Sequence, residues 1–310
     1  MKTCFLISNC HLGGLIGGIR FHNPAVRLDA CHVWNLATRF GAPEQFLGFL
    51  GNFDTVFTMR FGEEFMPGIS ADIIASQEKQ TVFYPTVNFA GFHPDVVYLF
   101  QRDSHFSKFV VSPLGPFNSA LALYGLRRGY SVERTAALFC GEVYERLGYH
   151  SGWDEAVAGL LADRDARDFG FEGHLLRWLR QGCFMYYPQH PKLAPVLDIA
   201  REILRRADLD VLPGNAEGYL ASDLVPGPIW PVYPEIAARF GLPGEMVFKR
   251  DHAGAAEPEF MRLEAFIDHS FEALRQYDLD QHPCERVDGW LRDGVDVQSG
   301  MRSGGIAENA

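Results

Sequence analysis

The 310-residue chain lacks paired cysteines. Its six cysteines fall at positions 4, 10, 31, 140, 183 and 284, without a CxxC pair and without regular spacing. That excludes a disulfide framework and a zinc ribbon, and it fits free thiols in a reducing, cytoplasmic compartment. No metal is expected, because Cys31-His32, His150 and His174 lack the spacing that zinc ligands use. There is no apolar run of about 18 residues, so no membrane span is expected. The apolar stretch after Lys2 is too short for a secretory signal. Basic residues are outnumbered, with a net charge of −11. General nucleic-acid binding needs a broad basic surface and is therefore not expected. No internal repeat is seen.

What is present is an ordinary globular composition. Apolar residues make up 47% and charged residues 22%, with 25 phenylalanines to fill a core. Four segments read as strands: Thr3–Ser8, Asp54–Met59, Asp72–Ala75 and Thr81–Tyr84. Residues 30–50 read as partly helical, with Val33, Leu36, Ala37 and Phe40 at helical spacing. Strand, helix, strand, strand within 85 residues predicts a small α/β sheet, with parallel pairing favoured. The rest reads as mostly helical. Apolar stripes run over Val132–Leu147 behind an N-capping Ser131, over Leu193–Leu204 and over Phe260–Leu274. Pro-rich stretches separate them. The fold class is thus α/β, mostly helical, with the sheet in the N-terminal third. Residues 1–292 are expected to form one domain and 293–310 a flexible tail.

Cys10 is the first candidate site residue. It follows an apolar strand and precedes Gly13, Gly14, Gly17 and Gly18. A strand that ends in a Gly-rich turn leaves its last side chains at a sheet edge, where open α/β folds bind ligands. A helix starting near Leu12 would aim its positive end at the thiol and favour the thiolate, and His11 could add to that. The plainer alternative is a packing cysteine. The glycines match neither a Walker loop nor GxGxxG, and close helix packing explains them equally well.

His93 and Asp95, in Gly91-Phe-His-Pro-Asp95, form a second candidate. A histidine with a nearby carboxylate suits general-base work, although such pairs also simply bond local backbone. Asn118 or Ser119 is placed to cap a helix. His190 lies in a turn before a helix. Phe248-Lys-Arg250, with Arg102, Lys108, Arg127 and Arg128, offers cations for a phosphate-bearing ligand. Trp153, Trp230 and Trp290 would suit sugar stacking if exposed, but core packing is the commoner fate of tryptophan.

Together these residues resemble the WcbI-type polysaccharide biosynthesis acetyltransferases of bacterial capsule loci. The resemblance rests on Ser8-Asn9-Cys10-His11, Gly91–Asp95, the helix pair Asn118–Leu126 and Ser131–Tyr149, Gln189-His190-Pro191, Tyr233–Leu242 and Phe248-Lys249. These occur in family order from residue 3 to about 277. The family carries Gly where this chain has Ser8, Gln where it has His11 and Asn where it has Gln189.

The resemblance implies acetyl transfer from acetyl-coenzyme A to a sugar hydroxyl on a polysaccharide precursor. Acyl transfer needs a nucleophile or positioning group, a base and oxyanion donors. Cys10 would face the thioester. His93, oriented by Asp95, would take the proton. The N–H groups of Cys10–Leu12, with Asn9, His11 or Gln77, would hold the oxyanion. Ser8, Gly13, Arg102, Ser119, His190 and Lys249 would contact coenzyme A. An SGNH-type carbohydrate esterase is the alternative, although Asp280-Gln-His282 has the wrong spacing for its Asp-x-x-His. A non-catalytic sugar or nucleotide-sugar binding protein is the third reading. Homo-oligomerisation is left open.

Overall fold

The computed structural model describes residues 2–102, 108–251 and 257–293. The tail expected beyond 293 lies outside them. The chain falls into two compact units, one built from residues 1–89 and 156–225, the other from 90–155 and 226–310.

The first unit holds a parallel sheet of β1 (Thr3–Ser8), β2 (Arg27–His32), β3 (Thr55–Thr58) and β4 (Gln80–Phe83), in the order β2-β1-β3-β4. All three pairings are parallel. β1 is the inner strand that the run Cys4-Phe-Leu-Ile7 dictates, since a strand covered on both faces needs apolar residues at every position. All four side chains are buried. Phe5 and Ile7 point into a cluster with Cys31, Val56, Phe46, Leu50 and Ile74.

β2 was not expected, because Arg27 and Asp29 break the apolar run. It is an edge strand, and an edge tolerates that alternation. The expected strand at Asp72–Ala75 is instead the helix α2 (Ala71–Ala75), capped by Ser70, whose Oγ accepts from Ile73 N at 3.2 Å. Its Ile73-Ile74 pair favours a strand locally, but Ile74 is buried in the core cluster and the cap fixes the turn.

Between β1 and β2 runs α1 (Leu12–His22). All four glycines of the Gly-rich run lie inside it, not in a turn. Their role is contact with α3 (Leu193–Arg206) and the segment near residue 220. A Cβ on Gly14 would stand 2.9 Å from Val196 Cγ1, and one on Gly18 would stand 2.7 Å from Ala200 Cβ. Glycine lets the two helices approach to near backbone contact. α3 is the expected stripe, with Val196, Leu197, Ala200, Ile203 and Leu204 buried.

The second unit is mainly helical. The stripe expected over Val132–Leu147 is two helices, Val132–Ala136 and Gly141–Arg146, interrupted before Gly141. Ser131 caps the first as expected, its side chain accepting from Arg134 N at 3.2 Å. The Phe260–Leu274 stripe begins as a strand, Phe260–Arg262, paired with Val247–Lys249, and turns helical at Leu263. Phe248 stacks on Phe266 with ring centroids 3.9 Å apart. Among the described residues no helix is long and apolar enough to cross a membrane.

Candidate functional site

In a parallel sheet of order 2-1-3-4 the chain leaves β1 toward one edge and returns to the other side for β3. Ligands of such sheets gather at the carboxyl ends of the strands, at that reversal. Cys10 stands two residues beyond the end of β1. His32 ends β2, and Thr86, Val87 and Asn88 follow β4. The Met185–Tyr187 and His190–Pro191 hairpin joins them: Phe89 N–H donates to Pro188 O at 2.7 Å. Together Asn9, Cys10, Trp34, Thr86–Asn88, Gln189 and His190 line a cavity of about 420 Å³, within the size range of small-molecule sites.

Asn9 organises the turn. Its Oδ1 accepts from His11 N at 3.0 Å, and its backbone oxygen accepts from Leu12 N at 3.1 Å and from His32 Nδ1 at 3.1 Å. The N–H groups of residues 11 and 12, expected to face an oxyanion, are therefore already used within the turn. With Oδ1 committed, the Asn9 side chain offers Nδ2 as its donor.

The thiol is not activated. Burial, with Asp223 nearby, pushes the half-buried Cys10 up from 9.0 to about 12. The expected helix effect is worth about 0.3–1 kcal/mol at a helix end, whereas the rise from 9.0 to about 12 amounts to roughly 4 kcal/mol. Burial wins. Asp223 also meets the first turn of α1: a Cβ on Gly13 would lie 2.1 Å from Asp223 Oδ2. A carboxylate already sits at Gly13, where contact with coenzyme A was expected.

His11 is buried, with Nε2 donating to Gln189 O at 3.4 Å, and burial takes its pKa from 6.5 to about 4. His190, against the Tyr187 ring, is carried to about 3 by burial and by His11. Both imidazoles are neutral at neutral pH. Ser8 ends β1 fully buried. Beside it Tyr84 OH donates to Ile7 O at 2.6 Å, tying the end of β4 to β1.

Gln77 is elsewhere. Because Asp72–Ala75 is a helix, Gln77 precedes β4 instead of following a strand. It lies at the amino-terminal edge of the sheet, opposite Cys10, and its Nε2 donates back to Ile73 O at 3.2 Å.

The remaining candidates belong to the second unit. Asp95 is fully buried and accepts four hydrogen bonds: Ser119 Oγ at 2.5 Å, Tyr149 OH at 2.7 Å, Tyr233 OH at 2.9 Å and Leu121 N at 3.0 Å. Its backbone oxygen also takes Ala120 N–H. Burial still raises its pKa despite these donors. Asp95 holds the start of the Ala120–Arg127 helix, not an imidazole. Ser119 caps that helix, accepting from Ala122 N at 3.0 Å, so its hydroxyl serves the fold where cofactor contact was expected.

His93 is only 2% exposed, and its Nε2 donates to Trp230 O at 3.1 Å. That makes Nδ1 the basic nitrogen. Lys249 is likewise turned inward, its Nζ donating to the carbonyls of Pro226, Gly227 and Arg250. Arg102 is exposed, with its N–H on Gln281 O. Trp230 is buried, Trp153 packs on Phe92 and Phe240, and Trp290 packs near Tyr124 and Tyr149. The exposed tryptophan at the pocket is Trp34, which follows the unexpected strand β2.

A parallel sheet with a thiol and a small cavity at its switch point has the geometry at which open α/β folds take their ligands. The particular family is also shown: the family model for the polysaccharide biosynthesis enzyme WcbI matches residues 3–212, and the chain belongs to that family. A solved structure described as WcbI, a novel polysaccharide biosynthesis enzyme, in a native form without a disulfide bond between coenzyme A and one of its cysteines, is similar in fold. It shares 15% identity at a TM-score of 0.54, covering 97% of this chain and 96% of that one. No curated protein matches the chain.

Proposed function

We propose that the chain is a coenzyme A-dependent O-acetyltransferase acting on a sugar hydroxyl in polysaccharide biosynthesis. The observation that carries this reading is Cys10 at the carboxyl end of the inner strand, opening into a polar cavity, in a family of polysaccharide biosynthesis enzymes. The related solved structure is described as a form without a disulfide bond between coenzyme A and a cysteine, and a pocket thiol such as Cys10 is the group that such a bond would need. Acetyl-coenzyme A supplies the activated acetyl group when bound.

The cavity lining fits the thioester end of that molecule and not its phosphates, since none of the lining residues is a cation. Lys249 spends its donors on carbonyls. No phosphate contact is assigned.

The protonated Cys10 thiol favours positioning over covalent capture. A thiol near 12 is a weak nucleophile at neutral pH, and taking the acetyl group would require removing its proton first. Direct attack by the sugar hydroxyl is the route this protonation state supports. Asn9 Nδ2 and the neutral His190 ring are the donors proposed for the developing oxyanion, the one N–H of neutral His11 being already spent on Gln189 O. A neutral imidazole donates without the burial cost of a charge. His93 belongs to the other unit, with its Nε2 on Trp230 O, and no step at the Cys10 cavity is assigned to it.

Thermal-shift and calorimetric titration with coenzyme A and acetyl-coenzyme A test the reading. Saturation at 100 times Kd should stabilise the fold by about 2.7 kcal/mol. Absence of stabilisation, together with acetate release from an acetylated sugar without coenzyme A, would establish the esterase reading instead. Intact mass after a single turnover should show no acetyl adduct on Cys10.

A further inference from the structure

Resting on that reading, we propose that Trp34 is the stacking platform for the acceptor's sugar ring, and that the Cys10 cavity accepts an uncharged sugar in preference to a uronic acid or a phosphosugar.

Three independent observations support this. The first is the platform. Trp34 follows the carboxyl end of β2, is 47% exposed and lines the same cavity as Cys10. Its ring lies nearly parallel to that of His32, 11° apart with centroids at 4.6 Å. His32 is anchored in turn by Nδ1 donating to Asn9 O. One face of the indole is thus braced against the turn that carries Cys10, and nearly half of the residue's surface stays open. A braced, flat apolar face is what the C–H face of a pyranose covers.

The second is the polar complement. Around the indole stand Asn9, Thr86, Asn88 and Gln189, three amides and one hydroxyl. The Asn88 and Gln189 amides both donate and accept and Asn9 offers Nδ2 as a donor, which matches sugar hydroxyls that donate and accept.

The third is charge. No Asp, Glu, Lys or Arg is among the cavity's lining residues. The lining imidazole, His190, is held neutral by its surroundings. A uronate or a phosphate dianion would enter the cavity without a counter-charge, and stripping water from an unpaired anion is costly.

The test uses the full chain, with methyl α-D-mannopyranoside and methyl α-D-glucopyranoside as neutral probes and methyl glucuronide as the charged one. Saturation-transfer NMR should show the ring C–H protons of at least one neutral glycoside at wild-type protein. Trp34→Ala should lose that signal, with affinity down about fivefold or more, and Trp34→Phe should keep most of it. Methyl glucuronide should give markedly weaker transfer. Circular dichroism and the melting temperature of both variants should match wild type, which shows that the fold is intact.

Unchanged glycoside binding in Trp34→Ala would overturn the proposal. Equal transfer to glucuronide, or no glycoside signal at all, would do the same. Loss of coenzyme A affinity with glycoside binding unaffected would move Trp34 to the cofactor. Failure of wild-type protein to bind coenzyme A would instead strike the acetyltransferase reading, and the glycoside arm would still report on Trp34.

Discussion

The protonation state of Cys10 gives the sharpest test of the site. Its thiol is carried from 9.0 to about 12. At pH 7.5 a thiol of pKa 9 is about 3% thiolate, whereas one at 12 is about 0.003%, a drop of roughly a thousandfold. The positive end of α1 opposes this by about 1 kcal/mol at most, against roughly 4 kcal/mol for the shift itself. The assay is iodoacetamide alkylation from pH 6 to 10.5, with Cys10 followed by peptide mass spectrometry. The same peptide in denaturant is the reference, and circular dichroism checks that the fold persists.

Native Cys10 should react at least a hundredfold more slowly at pH 7.5, after allowing for access. Its log rate should rise with pH up to 10.5 without a plateau. A plateau with an inflection below pH 9 would show an activated thiolate. It would refute the burial argument and restore covalent acetyl transfer as the better route. Asp223→Asn should lower the inflection only modestly, since burial is the larger cause.

Other expectations follow from the same geometry. Asp95→Asn replaces one of the two acceptor oxygens by an NH2 group that faces two of the four donors; urea unfolding should show a loss of about 2–4 kcal/mol, and a loss under 1 kcal/mol would mean the network is not structural. His11, His190 and His174 have folded pKa values of about 4, 3 and 4 against 6.5. Their stabilisation is complete above pH 6.5 and is lost as pH falls toward 4, by about 3 kcal/mol for His11 alone. His11→Gln should flatten that slope in urea midpoints between pH 7.5 and 4.5, and an unaltered slope would exclude His11 as a cause. Gly18→Val pushes a side chain into Ala200 and Leu197, so it should cost about 1–3 kcal/mol; an unchanged melting temperature would show that the two helices separate freely.

Much of the fold is local and therefore readable. β1 declares itself by an unbroken apolar run, and α3 by a stripe of 3.6-residue period. Ser131 and Ser119 cap helices because a short hydroxyl next to free N–H groups has few other uses. The misses share one cause. Asp72–Ala75 has β-branched residues, yet burial of Ile74 and the Ser70 cap make it a helix. Arg27–His32 carries charges that suit a helix surface as well as an edge strand, and only its pairing with β1 decides. Losing β2 meant losing His32 and Trp34.

The sequence by itself determined the class of sheet, the place of Cys10 at the end of its first strand, and the family. It could not assign electrostatics, because burial is a property of what packs around a group. Cys10 stands beside a helix N-terminus, as its neighbours foretold, but enclosure outweighs the dipole and keeps the proton on sulfur. Asp95 stands two residues from His93 in sequence, yet its partners come from Ser119, Leu121, Tyr149 and Tyr233, up to 138 residues away. Gln77 and Cys10 were expected at one sheet edge, and strand direction puts them at opposite ones. Position along the chain fixes which groups exist; only the packed structure decides which of them meet, and in which charge state.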